Sequence, residues 1–135
     1  PMAAVSDLAT LLATMDPALL ADHYVFCTVP PDQEAAVVTA SPFATVREAE
    51  GLSAVLTQAK ADAFGLPYDS VHRCITLRVH SSLTAVGLTA AVSTALAEAG
   101  LSANVVAGHH HDHVFVPADA AERAVQVLRE LANPR

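Results

Sequence analysis

The sequence has no tryptophan, only 4% aromatic residues, two cysteines and a charged fraction of 16%. Ordinary globular domains carry roughly 25% charged residues, so this surface is sparse in charge and an apolar face covered by a partner is expected, a second copy of the chain being the simplest. Only seven residues are Lys or Arg, scattered along the chain, and the net charge is −7. That balance excludes a nucleic-acid backbone or an anionic membrane surface as the natural partner. No run of 18 or more apolar residues occurs, which excludes a membrane-spanning helix, and the N-terminus lacks the basic region and apolar run of a signal peptide. A cytoplasmic location is the resulting expectation. Cys27 and Cys74 both fall in apolar runs that read as strands, and are expected to be buried free thiols rather than a disulfide.

What is present is apolar: 53% of the 135 residues are hydrophobic, much of that Ala and Val. A chain of this size buries roughly two-thirds of its unfolded surface. Small side chains in such a core call for closely packed layers, in one compact unit or two interlocked ones.

The pattern gives the elements. Residues 5–15 place Val5, Leu8, Leu11 and Leu12 at helical spacing, with Ser6 or Asp7 as cap and Asp16-Pro17 as the stop. Residues 23–29 are β-branched and aromatic and read as a strand, followed by a turn at Pro30-Pro31-Asp32. Ala36 to Thr39 reads as a short strand broken at Ser41-Pro42, Phe43 to Arg47 as another and Leu52 to Leu56 as a third. Lys60 to Phe64 reads as a helix closed by Gly65 and followed by a linker.

The second half is clearer. Residues 73–80 alternate, with Ile75, Leu77 and Val79 on one face. A helix then carries Leu88, Val92, Ala95, Leu96 and Ala99 on one stripe, with Gly100 at its C-terminal cap. Strands over 102–107 and 112–116 flank a turn at 108–111. Asp119 and Glu122 have the spacing of a capping box before a helix with Ala121, Val125, Leu128 and Leu131 buried. The order strand, helix, strand, strand, helix makes an α+β sandwich, and a faint echo between Leu52 and the following helix and His113 and its following helix suggests a duplication.

The run from His72 to Leu128, HRCITLRVHSSLTAVGLTAAVSTALAEAGLSANVVAGHHHDHVFVPADAAERAVQVL, resembles the C-terminal half of the small bacterial tandem ACT-like domain proteins. DLATLLATMDPALLADHYVFCTV and TVREAEGLSAVL resemble the N-terminal half. The resemblance implies a duplicated ferredoxin-like ACT sandwich, with units at 1–68 and 69–135. It also implies a non-catalytic regulatory or sensor role, with no cofactor and with an amino acid or related effector held at the interface of ACT-like units, commonly in a homodimer. ACT domains end in a final strand, which does not follow Leu131 here; the other half is expected to supply it. The resemblance also points to Glu50-Gly51 as a step shaping the junction between halves.

Candidate site residues cluster in two places. The loop leading into the helix at 88 exposes backbone N–H groups suited to a carboxylate. Ser81, Ser82 and Thr84 offer hydroxyls, Leu83 and Val86 complete the loop, and Gly87 permits close approach. The alternative is that Ser82 or Thr84 only caps the helix. Asp112, at the position where the resemblance places an acid near an effector amine, is expected to pair with an ammonium; turn stabilisation is its alternative. Asn104 is expected to reach a bound carboxylate or an edge backbone group.

His109, His110, His111, Asp112 and His113 put four imidazoles and a carboxylate into five residues. Alternation along a hairpin lets only two of them, such as His111 and His113, share a face, so they are weak metal ligands needing a third from His72, His80 or Asp69. No GxSxG elbow, P-loop or HExxH spacing occurs, and neither Cys74 nor His72 has an evident orienting group, so no catalytic residue is assigned. Three readings therefore stand: an effector-binding regulatory domain, a structural or protein-interaction module without ligand, and metal binding through the His109–His113 cluster.

Overall fold

The computed structural model describes residues 7–79 and 86–133. Their elements run α1 (Leu8–Ala13), β1 (Pro17–Val29), α2 (Glu34–Thr39), β2 (Ala44–Glu48), β3 (Gly51–Thr57), α3 (Gln58–Phe64), β4 (His72–Leu77), α4 (Leu88–Glu98), β5 (Asn104–Ala107), β6 (Asp112–Pro117) and α5 (Ala121–Ala132). Short 3-10 turns precede α2 and α5. The chain forms two compact units that interleave its segments: residues up to Ala21 join those from Arg73 onward, and Asp22–His72 make the other.

In the first unit the strands lie in the order β1, β4, β6, β5. β5 and β6 form an antiparallel hairpin with Val105 opposite Val114 and Ala107 opposite Asp112. Ile75, Leu77, Val114 and Val116 from the sheet bury against Leu88, Val92 and Leu96 of α4 and Ala121, Val125 and Leu128 of α5. Leu11 of α1 and Met15 beyond it, both fully buried, complete this core. Asp7 caps α1 by accepting from the Thr10 backbone N–H at 3.0 Å. Gly100 ends α4 at φ 78°, with Leu101 N–H donating to Leu96 C=O and Gly100 N–H to Ala97 C=O, both at 2.9 Å. This pair of bonds satisfies carbonyls that the helix leaves open, and only glycine takes the required φ without cost.

The strand that does not follow Leu131 is supplied from the other end of the chain: the first residues of β1 lie beside β4. Arg78 N–H donates to Met15 C=O at 3.0 Å, and the Arg73 guanidinium donates to Leu20 C=O at 3.0 and 2.7 Å. The first unit therefore has the four strands an ACT fold needs, and α1 arrives with β1.

The second unit orders its strands β2, β3, β1, all antiparallel. Val25, Cys27 and Val29 alternate inward with Leu56, Ala54 and Leu52 opposite them, and Val37 of α2, Ala61 of α3 and Leu66 pack on that face. Gly65 closes α3 in the left-handed region, as its place in the sequence predicts.

Three sequence expectations need correction. Ala36 to Thr39 is helix, not strand: the turn from Pro31 leads into α2, where Val37 is fully buried and its neighbour Val38 is 54% exposed. Two adjacent valines fit a strand by propensity, but the turn begun at Pro31 continues as helix, with Ala40 N–H donating to Ala36 C=O at 3.1 Å. β1 starts at Pro17, six residues earlier than its β-branched run, because β4 pairs with its otherwise weak beginning. Asp119 and Glu122 form no capping box: a 3-10 turn over Ala118–Ala120 precedes α5, and no side chain caps either one. Both acids nevertheless occupy first-turn positions, where the helix dipole favours them.

Leu128→Ala should cost about 2–5 kcal/mol of unfolding free energy, as expected for a leucine deleted from a closed core. Val38→Ala should stay within about 0.5 kcal/mol. Urea unfolding followed by circular dichroism distinguishes the two, and equal effects would refute the assignment of core and surface.

Candidate functional site

The helix-start loop enters α4 through Gly87, at φ 102°. A Cβ there would lie 3.1 Å from Leu8 Cδ2, so glycine is favoured both by backbone conformation and by the α1 side chain above it. Gly87 C=O accepts from Ala91 N–H at 2.8 Å, the first bond of the helix. Gly87 has no side chain with which to cap, so the N–H groups of the opening turn receive nothing from the cap residue. Val86 stands 82% exposed beside it. Ser81, Ser82, Leu83 and Thr84, the other residues expected in this site, lie outside the described residues.

The β5–β6 hairpin turns through Gly108, whose N–H donates to His111 C=O at 2.9 Å. A Cβ on Gly108 would sit 2.9 Å from that same oxygen, so the turn needs a glycine to close this tightly. Asp112 opens β6, half-buried and opposite Ala107. Burial holds its carboxyl above the ordinary value of 3.8, against the pull of His113 and His111. Asn104 is exposed at the far end of β5, opposite Phe115. Strand alternation puts Asn104 and His113 on one face of the hairpin and Asp112 on the other, so Asn104 and Asp112 do not converge.

The histidines are dispersed among separate tasks. His113 Nδ1 bonds Thr76 Oγ1 at 2.9 Å, and His111 Nδ1 donates to Val79 C=O at 3.3 Å. His109 and His110 are exposed, their rings edge-to-face at 4.9 Å. Of the third ligands considered, His72 Nε2 is bonded to Ser70 Oγ at 2.9 Å, Asp69 is exposed, and His80 lies outside the described residues. Among the described residues no three His, Cys, Asp or Glu side chains are grouped so as to hold a metal ion. Thr76, the anchor for His113, carried no signal in the sequence beyond its place on an alternating strand.

Both cysteines are free and buried. Burial pushes the Cys74 thiol up to about 11, only partly opposed by its contact with Thr76. A thiol that resists ionisation is a poor nucleophile. Burial also raises Cys27, helped by the Asp62 charge. His72 is pulled below its ordinary value by burial, and its Nδ1 is buried without a hydrogen-bond partner.

Helices α4 and α5 on strands β1, β4, β6 and β5, and α2 and α3 on strands β2, β3 and β1, define a duplicated ferredoxin-like α+β sandwich of the ACT type. Residues 3–73 match the ACT domain family, residues 69–130 match it a second time, and the chain belongs to that family as a tandem ACT-like protein. It is 49% identical to VC0802 of Vibrio cholerae, a protein of unknown function given as a possible transport protein; the match covers 93% of this chain and 96% of that one, with a TM-score of 0.84. At 14% identity it shares its fold with the ligand-free regulatory subunit of aspartate kinase from Thermus thermophilus, over 88% of this chain and 97% of that one, TM-score 0.66. Atu0741 from Agobacterium tumefaciens is similar at 17% identity, 86% and 87% coverage and the same TM-score. Comparison with curated protein sequences gives no match. Among the described residues no helix is long and apolar enough to cross a membrane.

The His113 environment has a measurable consequence. Its value in the folded chain is depressed below the ordinary 6.5, first by burial and then by the His111 charge, against the pull of Asp112. The unfolded chain therefore takes up a proton before the folded one as pH falls below 6.5, and the stability contributed by neutral His113 is lost as pH drops through the folded value. His72 is shifted the same way, whereas Asp112, raised above 3.8, contributes stability on the acid side that is lost as pH rises. Unfolding free energy should drop between about pH 7.5 and 5.5, and the drop should be smaller in His113→Gln. An identical drop in the variant would remove His113 as its source.

Proposed function

We propose that this chain is a non-catalytic regulatory module that holds a small effector, an amino acid or related zwitterion, at the entry to α4. The observation that carries this reading is the entry to α4. A left-handed Gly87, which has no side chain to cap with, opens the helix, and in this reading the N–H groups of its first turn receive a carboxylate. The half-buried Asp112 supplies an acceptor for the effector ammonium, and ionisation of its carboxyl is aided by that positive charge. Ser81, Ser82, Leu83, Thr84 and Val86 line the approach in this reading, whereas Asn104, on the opposite face of the hairpin from Asp112, takes no part.

Two ACT matches and a fold shared with an aspartate kinase regulatory subunit support a regulatory role. In this reading the duplicated units are 1–68 and 69–135, the working form is a cytoplasmic homodimer, and no nucleic acid is bound. Effector binding shifts the population of one arrangement that a partner protein reads.

The test is thermal unfolding of metal-free protein with each amino acid at millimolar concentration. A ligand at about 100 times its Kd adds about 2.7 kcal/mol, enough to raise Tm by several degrees. One compound should give that shift, and Asp112→Asn should reduce it while leaving the unliganded protein folded. Silence across the panel would leave a ligand-free interaction module as the better account, in keeping with the exposure of Val46 and Val86. A shift with zinc alone would favour the histidine cluster.

A further inference from the structure

Helices α1 and α5 both end beside one cavity. Its volume is about 390 Å³, and it is lined by Thr14, Asp16, Arg78, Arg129 and Asn133 among others. Among the described residues Arg78 and Arg129 face this one space with a single acid, Asp16, beside them, in a protein whose net charge is −7.

The two guanidiniums are held differently. Arg78 is clamped: Nη2 donates to Asp16 Oδ1 at 2.7 Å and Nε to Asp16 C=O at 3.2 Å, while its backbone N–H reaches Met15 C=O. Asp16 itself sits at φ 46°, a left-handed conformation uncommon outside glycine, and these bonds from Arg78 are what hold it there. An exposed ion pair of this kind adds little to stability. Its effect is positional: it aims Arg78 along the cavity wall and neutralises Asp16, with guanidinium N–H groups left over.

Arg129 has no carboxylate partner among the described residues. It lies in the last turn of α5, four residues before Asn133, so a planar cationic fork and a side-chain amide border the same cavity. Thr14 contributes an acceptor rather than a donor, since its hydroxyl already donates to Thr10 C=O at 2.6 Å. The carbonyl ends of α1 and α5 oppose negative charge, so the Arg129 side chain, not the backbone, must carry the attraction.

We propose that this cavity binds a small oxyanion, a carboxylate or phosphate group seated on the Arg129 fork, with Arg78 and the Asn133 amide completing its hydrogen bonds. This site is independent of the effector reading above and uses none of its residues.

The test is titration of isotopically labelled protein with succinate and, separately, with inorganic phosphate, at ionic strength held constant with chloride. Saturable shifts of the Arg129 and Arg78 side-chain N–H resonances with either anion are expected, and whichever anion saturates first identifies the class. Arg129→Gln should weaken that binding by about tenfold or more, the loss typical of a charge-assisted hydrogen bond. Asp112→Asn should leave it unchanged. Shifts that merely follow the chloride control in the wild-type protein, or an Arg129→Gln variant that binds as tightly, would overturn the proposal; the wild-type resonances decide it even if that variant does not fold.

Discussion

The pairing of β4 with the first residues of β1 is the contact on which the first unit depends. β4, β6 and β5 alone would present an open strand edge along β4, with unpaired N–H and C=O groups that invite another chain. The segment from Met15 to Ala21 fills that edge, and the Arg73 guanidinium on Leu20 C=O and the Arg78 N–H on Met15 C=O fix it in place. Because α1 immediately precedes β1, the same pairing carries Leu11 and Met15 into the core against α4 and α5. Residues more than fifty positions apart must meet before this core can close, and such non-local closure is entropically slow.

Burial on this frame decides what the reactive side chains can do. Cys74 lies in a central strand with no exposed surface, and its thiol is pushed up to about 11, which removes it from nucleophilic chemistry near neutral pH. His113 and Asp112 are adjacent in sequence and shifted in opposite directions from their ordinary values, yet the dominant cause is the same: half-burial disfavours the charged form of each. A histidine run that could have met at a metal is instead divided between Thr76, Val79 and solvent.

Glycine conformation and charge together shape the places where a ligand could enter. At Gly87 the backbone itself opens a helix without occupying its N–H groups. Asp16, a left-handed non-glycine residue, is bonded by Arg78, and Arg129 stands nearby without a carboxylate partner among the described residues. Both are local departures from regular structure, and both border positions where the ends of helices are accessible. The first adjoins the loop from Ser81 to Gly87 that the sequence singles out; the second has no counterpart in any motif of the sequence.

The sequence by itself determined the elements whose side-chain period is unambiguous. Ile75 and Leu77 alternate, Leu88, Val92 and Leu96 recur at helical spacing, and Gly65 and Gly100 stop their helices, because these patterns follow from the geometry of one element and need no neighbour. The ACT fold was legible through resemblance rather than periodicity, and the turn at 108–111 through its own glycine and polar run. Only the tertiary structure decided the rest. Pro17 to Asp22 became strand because β4 lies beside it, Ala36 to Thr39 became helix as the continuation of the turn begun at Pro31, and Asp119 lost its capping role to a 3-10 turn. Arg78 and Arg129 share a cavity although 51 residues separate them, a proximity created by the packing of α1, β1 and α5 and invisible to any local pattern. Periodicity records which way a side chain points on its own element; what it meets there depends on segments brought from elsewhere in the chain.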